Sequence, residues 1–387
     1  MSRDRIIQLG KYYYPEPGGM ETHLYDTCCQ LKDKFDIQVL VANTKPHTVS
    51  EEVEGVQVTR VANLGEAFSS PICPTLPFHL HQLNSNPDTI IQLHFPNPMA
   101  HLAYLIARPA GRLVIEWHSD IVRQKILSKL YQRQLVRLLQ RADCILATSP
   151  YYIKYSPFLQ KFADKCVVVP RGINLKKFAN SSTIQSKAEE TRQNYGDGIT
   201  LFVGRFIYYK GLETLLEAAK KIRGKILLVG DGPLRNKIKN IIKNSLLEDK
   251  VFLHHGVCDQ ELVSFYHACD VFVLPSNQRS EAFGLVQLEA MACSKPIIST
   301  NLKTGVPWVN QHGVTGLVVP VDNADKLAQA VNYLLTNIEE RLRLGQNGRR
   351  RVLENFTIPK VARKLEQVYE QVLHTRSRKE QYAEKLF

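Results

Sequence analysis

Short apolar runs recur along the first half of the chain, and amphipathic segments lie between several of them. The runs are rich in Ile, Val and Leu, as is typical of parallel strands that are buried on both faces. They are RIIQLG at 5–10, DIQVLVA at 36–42, DTIIQLH at 88–94, RLVIEWH at 112–118 and CILATS at 144–149. The pattern predicts strands that alternate with helices.

A second alternation of the same kind starts after residue 198. Its apolar runs are ITLFVG at 199–204, KILLVG at 225–230, KVFLHHG at 250–256, DVFVLP at 270–275, PIIST at 296–300 and GLVVP at 316–320. A repeat of the whole pattern predicts a second α/β domain rather than a longer first one.

Residues 178–198 separate the two halves, and their polar, Ser/Thr-rich composition is typical of a connection between domains. We therefore predict two doubly wound, Rossmann-like α/β domains, at 1–177 and 199–358, joined by this linker. The charged helical segment at 359–387 is predicted to cross back over them. In such a pair, ligands bind in a cleft at the carboxyl ends of the strands.

The bulk properties agree with two globular domains in a reducing compartment. The length of 387 residues is too great for one ordinary core. No apolar run reaches the roughly 18 residues of a membrane-spanning helix, and the N-terminus lacks the apolar stretch of a secretory signal. Eight scattered cysteines without a Cys-x-x-Cys pair favour free thiols over disulfides or a zinc site.

The formal net charge of +13 favours an anionic partner, but it does not choose among phosphorylated substrates, anionic lipid and nucleic acid. One predicted helix after Asp120 carries a basic stripe beside an apolar face. Its cations are Lys125, Lys129, Arg133, Arg137 and Arg141. This pattern is typical of a helix on an anionic membrane surface, and equally of a domain helix with a solvated face.

Two turns that follow predicted strands have the composition of phosphate-binding segments. In YYYPEPGGMETH, Gly18 and Gly19 let the backbone approach a ligand, and the next helix offers free N–H groups to an anion. In VGRFIYYKG, Arg205 and Lys210 have the chemistry to hold a diphosphate. The alternatives are a plain turn for the first segment and solvated surface cations for the second.

The segment VGDGPLRNK at 229–237 superficially resembles a dinucleotide-binding fingerprint. Arg235 occupies the position of the third glycine, so the G-x-G-x-x-G match fails. We interpret the segment as a tight turn from a strand to a helix.

The run RSEAFGLVQLEAMA at 279–292 carries two glutamates eight positions apart, Glu281 and Glu289. In one continuous helix, roughly 12 Å of rise would keep them from a shared ligand. A helix that starts near Gly284 instead leaves Glu281 in the loop before it. The free amides of Leu285 and Val286 then face an anion at the helix start.

Several motifs stand in a fixed order over nearly the whole chain. They are PEPGG, WHSD at 117–120, VPRGIN at 169–174, VGRFIYYKG, SEAFGLVQLEAMA and KTGVPWVNQHGVTGLVVPVDN at 303–323. In these motifs the chain resembles retaining nucleotide-sugar glycosyltransferases of family 4, which have the GT-B fold. The resemblance implies an N-terminal domain that binds the acceptor and a C-terminal domain that binds the nucleotide sugar.

The resemblance also implies which residues would hold the donor. Its diphosphate would be bound by side-chain cations and by the backbone, at Gly19, Arg205, Lys210, Gly284, Leu285 and Val286. Glu289 would hold the nucleotide ribose, and Asn174 would lie near the cleft.

The candidate catalytic residues that the resemblance implies are His118, Asp120 and Glu281. Glu281 would contact the donor sugar, while His118 would approach it from the N-terminal domain with Asp120 beside it. Because no Asp-x-Asp occurs in the sequence, we expect transfer without a metal or another cofactor. Cations and helix amides would offset the charge on the leaving diphosphate. A front-face route to retention needs no enzymatic nucleophile, and a covalent intermediate is the alternative.

One segment departs from the family pattern. Where members often have two glycines before a Pro-Glu pair, this chain has Gly305 alone, and Trp308 follows Pro307. The segment WHSDIVRQK resembles bacterial mannosyl- and rhamnosyltransferases of surface-polysaccharide assembly. That likeness implies GDP-mannose as the favoured donor, with a UDP-sugar as the second choice. The expected acceptor is a glycan or a polyprenyl-diphosphate-linked sugar, used by a cytoplasmic enzyme that is peripheral on the inner face of the membrane.

Two other functions remain open on the sequence, and a third is suggested by charge alone. A sugar-nucleotide 2-epimerase shares the fold but needs no acceptor, and its usual motifs are not apparent. A catalytically silent sugar-nucleotide-binding scaffold at the membrane would not need every phosphate-binding group that this chain carries. A nucleic-acid partner is suggested by charge alone, since no recognised nucleic-acid-binding module is found, and none is predicted.

Overall fold

The structure is a computed structural model that describes residues 3–67, 70–83, 86–120 and 127–374, with the backbone alone for 127–131. The chain divides into two compact units. Unit 1 comprises Met1–Thr148, Ile153–Gly172 and Ile358–Phe387, and unit 2 comprises Ser149–Tyr152 and Ile173–Thr357.

Unit 1 contains an eight-stranded sheet with helices packed against it. The strands of unit 1, of which β5 and β6 lie outside this sheet, are β1 (Arg5–Leu9), β2 (Asp36–Ala42), β3 (Val49–Val53), β4 (Val56–Val61), β5 (Glu66–Ala67), β6 (Ser70–Pro71), β7 (Ile90–Phe95), β8 (Arg112–Trp117), β9 (Cys144–Ala147) and β10 (Cys166–Val168). The helices are α1 (Gly19–Leu31), α2 (Leu76–Leu83), α3 (Pro98–Ala107), α4 (Leu127–Arg141) and α5 (Pro150–Tyr155), the last at the boundary with unit 2.

The large sheet of unit 1 has the strand order β10-β9-β8-β7-β1-β2-β4-β3. All its pairs are parallel except β3 with β4, and β5 and β6 form a separate antiparallel pair. Every predicted strand of this half is present. The sequence did not predict the β3–β4 hairpin, because its two strands are only half apolar, whereas β10 lies in the wholly apolar run CVVV at 166–169.

Unit 2 contains a six-stranded, wholly parallel sheet in the order β13-β12-β11-β14-β15-β16. Its strands are β11 (Thr200–Val203), β12 (Ile226–Val229), β13 (Val251–His254), β14 (Val271–Leu274), β15 (Ile297–Thr300) and β16 (Gly316–Val319). Its helices are α6 (Ser182–Tyr195), α7 (Leu212–Ala219), α8 (Arg235–Asn244), α9 (Asp259–Ala268), α10 (Leu285–Ala292), α11 (Val306–Val309), α12 (Ala324–Thr336) and α13 (Ile338–Asn355). All predicted strands of this half are confirmed, and VGDGPLRNK forms the predicted turn between β12 and α8.

In both units the strand order reverses beside the strand that comes first in the sequence, which lies in the interior of the sheet. Unit 1 has its switch point between β1 and β7, and unit 2 between β11 and β14. Ligands of doubly wound sheets bind outside the carboxyl ends of the strands at such points. The predicted pair of Rossmann-like domains is therefore confirmed, and each unit has one place where a ligand is expected.

The predicted linker at 178–198 is wrong for most of its length. Helix α6 begins after Ser181, whose hydroxyl accepts a hydrogen bond from the amide of Ile184. Its buried residues Ile184, Ala188 and Thr191 recur at helical spacing, and the helix packs against α9. The polar composition of the segment concealed a stripe of three buried positions, and the segment belongs to unit 2.

The last described helix is α14 (Ile358–His374), and it returns the chain to unit 1. Its residues Val361, Leu365, Val368 and Tyr369 are buried in the same core cluster as α1. The predicted return of the chain is therefore confirmed for Ile358–His374, and residues 375–387 lie outside the described part.

The basic stripe lies on α4, where Arg133, Arg137 and Arg141 are exposed. Lys125 lies outside the described residues, as does the side chain of Lys129. The apolar face of the described part packs inward, because Leu135, Leu138 and Leu139 are buried. These residues form a domain helix with a solvated basic face. Within the described chain, no helix has both the length and the apolarity that crossing a bilayer requires.

Candidate functional site

In unit 2, a buried ion pair joins the two strands of the switch point. Lys210 follows β11 and Glu281 follows β14, and Nζ of Lys210 lies 2.6 Å from Oε2 of Glu281. The hydroxyl of Ser276 donates to the same oxygen over 2.8 Å. Lys210 is 8% exposed and Glu281 is 7% exposed. Two residues predicted for the sugar and the diphosphate are thus brought together at the carboxyl edge of the sheet.

Glycine at position 211 makes this approach of the two loops possible. Gly211 has a φ of +68°, and a Cβ on it would lie 1.9 Å from the carbonyl oxygen of Pro275. Any side chain would therefore separate the loop that carries Lys210 from the loop that leads to Glu281. Arg205 lies in the same segment, but it is exposed and outside the buried pair.

The start of α10 has the predicted form of an anion-binding terminus. Gly284 precedes the helix with a φ of +73°, and a Cβ there would lie 2.6 Å from Leu274. The amides of Leu285 and Val286 stand in the first turn, where no intrahelical acceptor exists, and no side chain caps the helix in their place. Glu281 lies in the loop and Glu289 in the helix, which confirms the break predicted between them.

Glu289 has a partner that the sequence did not reveal. The hydroxyl of Tyr266, on α9, donates to Oε2 of Glu289 over 2.6 Å. Burial raises the pKa of Glu289, and the bond from Tyr266 acts in the opposite direction. Tyr266 therefore holds one carboxylate oxygen of the residue that was predicted to bind the ribose.

Asn174 has a local structural contact in unit 2. Its side-chain oxygen accepts from the amide of Lys176 over 3.1 Å and caps the short 3-10 helix at Leu175–Phe178. The role predicted for it near the donor stays a prediction.

In unit 1, the turn after β1 leads into a helix as predicted, and this helix, α1, begins at Gly19. The space around the missing Cβ of Gly19 is open, whereas a Cβ on Gly18 would lie 2.0 Å from the carboxylate of Glu21. That carboxylate accepts from the backbone amides of Glu21 and Met20, while burial raises its pKa. Glu21, which the sequence reasoning missed, thus occupies the helix start where Gly19 is predicted to contact phosphate.

His118 is buried, and protein groups engage both of its ring nitrogens. Arg171 donates to Nδ1, and Nε2 lies 2.9 Å from Nδ1 of His94. Burial and the charge of Arg171 lower the pKa of His118 well below its usual range. His118 is therefore neutral at pH 7, and a sugar could reach a ring nitrogen only by replacing one of these partners.

Asp120 closes the WHSD turn. One oxygen of its carboxylate accepts from the indole nitrogen of Trp117 over 3.1 Å and from the hydroxyl of Ser156 over 2.8 Å. These contacts fix the backbone beside His118. The catalytic role predicted for Asp120 stays a prediction.

Glu116 is the anion at the centre of this buried region. Its Oε1 lies 2.8 Å from Nε2 of His23 and 3.6 Å from Nη1 of Arg171. Burial alone would raise the pKa of Glu116, but His23, His118 and His94 hold it well below its usual range.

His94, Glu116 and His118 also carry metal-ligand atoms within 4.8 Å of one another, a group found in the described part of the chain. These atoms are already engaged by hydrogen bonds and by the cation of Arg171. The absence of a metal, expected from the sequence, stays a prediction.

Sequence comparison relates most of the chain to known sugar-transferring proteins. The family model "Glycosyltransferase Family 4" matches residues 17–177, and "Glycosyl transferases group 1" matches residues 183–351. O-antigen chain mannosyltransferase C of Escherichia coli is 35% identical over 96% of this chain and 100% of its own length. D-rhamnosyltransferase WbpZ of Pseudomonas aeruginosa is 31% identical over 91% of this chain and 92% of its own length.

Comparison with solved structures supports the fold. Sucrose-phosphate synthase from Thermosynechococcus elongatus superposes with a TM-score of 0.79, over 96% of this chain and 99% of that protein. At 24% identity, this likeness concerns the arrangement of strands and helices alone.

Proposed function

The chain belongs to the glycosyltransferases of group 1 and family 4. From this premise we propose that it transfers a mannose-like hexose from a nucleotide diphosphate sugar. The acceptor that we propose is a glycan or a polyprenyl-diphosphate-linked sugar. The observation that carries the proposal is the buried pair of Lys210 and Glu281 at the switch point of unit 2. Lys210 supplies a cation and Glu281 a hydrogen-bond acceptor, and the helix that follows has a free N-terminus. These groups suit a ligand that combines a diphosphate with sugar hydroxyls.

The proposed chemistry is a front-face displacement with retained anomeric configuration. The bond between the anomeric carbon and the β-phosphate oxygen breaks, and the acceptor hydroxyl adds to the same face. Its proton goes to the departing phosphate oxygen. Lys210, Arg205 and the first amides of α10 stabilise the negative charge that develops on the diphosphate. These groups supply the positive charge that a metal ion supplies in other transferases.

GDP-mannose is the favoured donor, and a UDP-sugar is the second choice. The relatives named above carry mannosyltransferase and rhamnosyltransferase in their names, which supports a manno-configured sugar. Both relatives match over more than nine-tenths of this chain, so the likeness includes the donor-binding unit.

A donor screen tests the reaction and its metal independence together. We expect the purified protein to consume GDP-mannose in preference to UDP-, ADP- and dTDP-sugars when a polyprenyl-diphosphate-linked glycan is present, at the same rate with and without EDTA. Mass spectrometry of the acceptor is the measurement. Loss of transfer in EDTA would contradict the metal-free route. A changed sugar nucleotide formed without acceptor would indicate the epimerase instead.

The exposed arginines of α4 lead us to propose that unit 1 meets an anionic membrane surface by electrostatic attraction. Near such a surface each Arg contributes about 1 kcal/mol. We expect flotation with phosphatidylserine-containing liposomes to fall when Arg133, Arg137 and Arg141 are changed to Gln. The matched control changes Lys237, Lys239 and Lys243 on α8, which are also exposed, to Gln. Equal losses in the two triple variants would mean that net charge, not α4, governs binding.

A further inference from the structure

Unit 1 buries polar side chains on one face of its sheet that the proposed chemistry does not use directly. Gln8 on β1 is paired in register with Gln92 on β7, and His94 on β7 with Glu116 on β8. To these are added His118 after β8, Arg171 from the VPRGIN motif and Tyr369 from α14. We call the set the polar ring, and its members are Gln8, Gln92, His94, Glu116, His118, Arg171 and Tyr369.

Arg171 sets the direction of the hydrogen bonds from one side. A guanidinium only donates, so His118 accepts at Nδ1 and, being neutral, carries its proton on Nε2. That proton is donated to Nδ1 of His94 over 2.9 Å. His94 then carries its own proton on Nε2.

Glu116 sets the same direction from the other side. A carboxylate only accepts, so the amide nitrogen of Gln92 donates to Oε2 of Glu116 over 2.7 Å. The carbonyl oxygen of Gln92 therefore faces Tyr369, whose hydroxyl donates to it over 2.6 Å.

The two series meet at Gln8. Its amide nitrogen donates to the hydroxyl oxygen of Tyr369 over 2.9 Å, and its carbonyl oxygen accepts from Nε2 of His94 over 2.8 Å. One orientation of this amide satisfies both neighbours. Arg171 and Glu116 close the ring at 3.6 Å, and every member is less than a tenth exposed. The hydrogen bonds of the ring are therefore consistent with one proton arrangement, and Nη1 of Arg171 has the ionic contact with Glu116 in place of a hydrogen bond.

We propose that Tyr369 is a positioning residue, which acts through Gln8 to hold His94 in the Nε2–H tautomer. His94 then accepts a hydrogen bond from Nε2 of His118, which fixes the His118 ring and links helix α14 to the WHSD segment. The inference rests on the proposed function and on the approach of His118 to the donor sugar that the family resemblance implies. With its proton on Nε2, His118 has Nδ1 as its one basic nitrogen. A substrate group that takes the place of Arg171 there must donate a hydrogen bond, as a sugar hydroxyl does.

The first test is the tautomer itself, read from ¹⁵N–¹H spectra of the full-length protein labelled at its histidines. In the unaltered protein we expect His94 and His118 to be neutral at pH 7, with protonated Nε2 and bare Nδ1. The signals are assigned from variants that each lack one histidine. Protonated Nδ1 at either residue would overturn the proposal without any variant of the ring. So would stoichiometric zinc on His94, Glu116 and His118.

The second test is Tyr369→Phe, which removes the hydroxyl and keeps the packed aromatic ring. Gln8 is then free to turn its amide, so we expect His94 to show mixed tautomers, while Arg171 still holds His118 in its Nε2–H form. We expect kcat for sugar transfer to fall about tenfold, with KM for the donor within about twofold. Tyr104→Phe is the matched control, because Tyr104 is buried in unit 1 but outside the ring.

Unchanged tautomers and unchanged kcat in Tyr369→Phe would overturn the positioning role. The spectra separate this failure from a failure of the proposed function. If the unaltered protein transfers no sugar, the tautomers still test the ring. If it transfers sugar while Tyr369→Phe behaves like Tyr104→Phe, the transferase stands and the positioning role falls.

Discussion

Replacing Lys210 with Met is expected to lower the rate of sugar transfer by roughly 10³-fold, as the loss of a buried group that stabilises a developing oxyanion does. Met fills about the same length without a charge. In this structure the substitution has a second effect, because Glu281 loses the partner that lies 2.6 Å from its Oε2 and stays buried with Ser276 alone. The rate is to be measured with saturating donor, so that weaker binding does not account for the loss.

A double variant separates these two effects. Glu281→Gln added to Lys210→Met removes the buried, unpaired carboxylate, so we expect the thermal stability lost in the single variant to return in large part. We do not expect the rate to return, because no cation is restored beside the diphosphate.

Lys221→Met is the matched control for this experiment. Lys221 lies 2.6 Å from Asp325, but that pair is exposed, and exposed pairs contribute about 0–1 kcal/mol. We expect its transfer rate to be unchanged. A Lys210→Met protein that transfers sugar as fast as the Lys221→Met protein would show that Lys210 does not act on the leaving group.

Much of unit 2 could be predicted because its signals are local. The helix start at Gly284 follows from a loop composition, a glycine and an apolar helical pattern within a single run of sequence. Lys210 and Glu281 each follow a strand that the apolar runs identify. Their contact follows from the sheet, since β11 and β14 are neighbours at the switch point.

The polar ring could not be predicted in the same way, because its members are far apart in sequence and are brought together by register. The signal was present, however. Gln8 and Gln92 each stand within the tetrapeptide IIQL in a strand that is otherwise apolar, and a buried amide requires partners. Tyr369 gave no such signal, since an aromatic residue on an amphipathic helix is an ordinary core residue.

The linker prediction failed for a different reason. The segment at 178–198 was judged by composition, whereas Ser181 before Ile184, Ala188 and Thr191 is a cap followed by a helical stripe. Composition describes the exposed majority of a surface helix. The few buried positions decide whether it folds.

Acidification is expected to destabilise unit 1 steeply between pH 6.5 and pH 4. Burial lowers the pKa of four histidines in this unit, to about 4 for His94 and His101, and below the usual range for His23 and His118. The unfolded chain protonates these residues near pH 6.5. Below that value it binds protons that the folded chain does not, so the free energy of unfolding falls with pH.

For each buried histidine that stays neutral, the free energy of unfolding falls by about 1.4 kcal/mol for each unit by which the pH is lowered in this window. Glu116 acts at lower pH. Its pKa is held below its usual range in the folded protein, so its contribution is present above the pKa of an unfolded glutamate and is lost as the pH falls through the folded value. The buried histidines and Glu116 therefore both lower the free energy of unfolding as the pH falls, and stability is greatest above pH 6.5.

Urea unfolding followed by tryptophan fluorescence measures this slope for unit 1 alone. The chain has two tryptophans, and Trp308→Phe leaves Trp117, which is buried beside β7 in unit 1. In that background, His101→Gln is expected to reduce the pH slope by about 1.4 kcal/mol per unit. His81→Gln, at an exposed position on α2, is expected to leave it unchanged. If Trp308→Phe and its His101→Gln and His81→Gln derivatives all have the same pH slope, the buried histidines are not the groups that take up protons on unfolding.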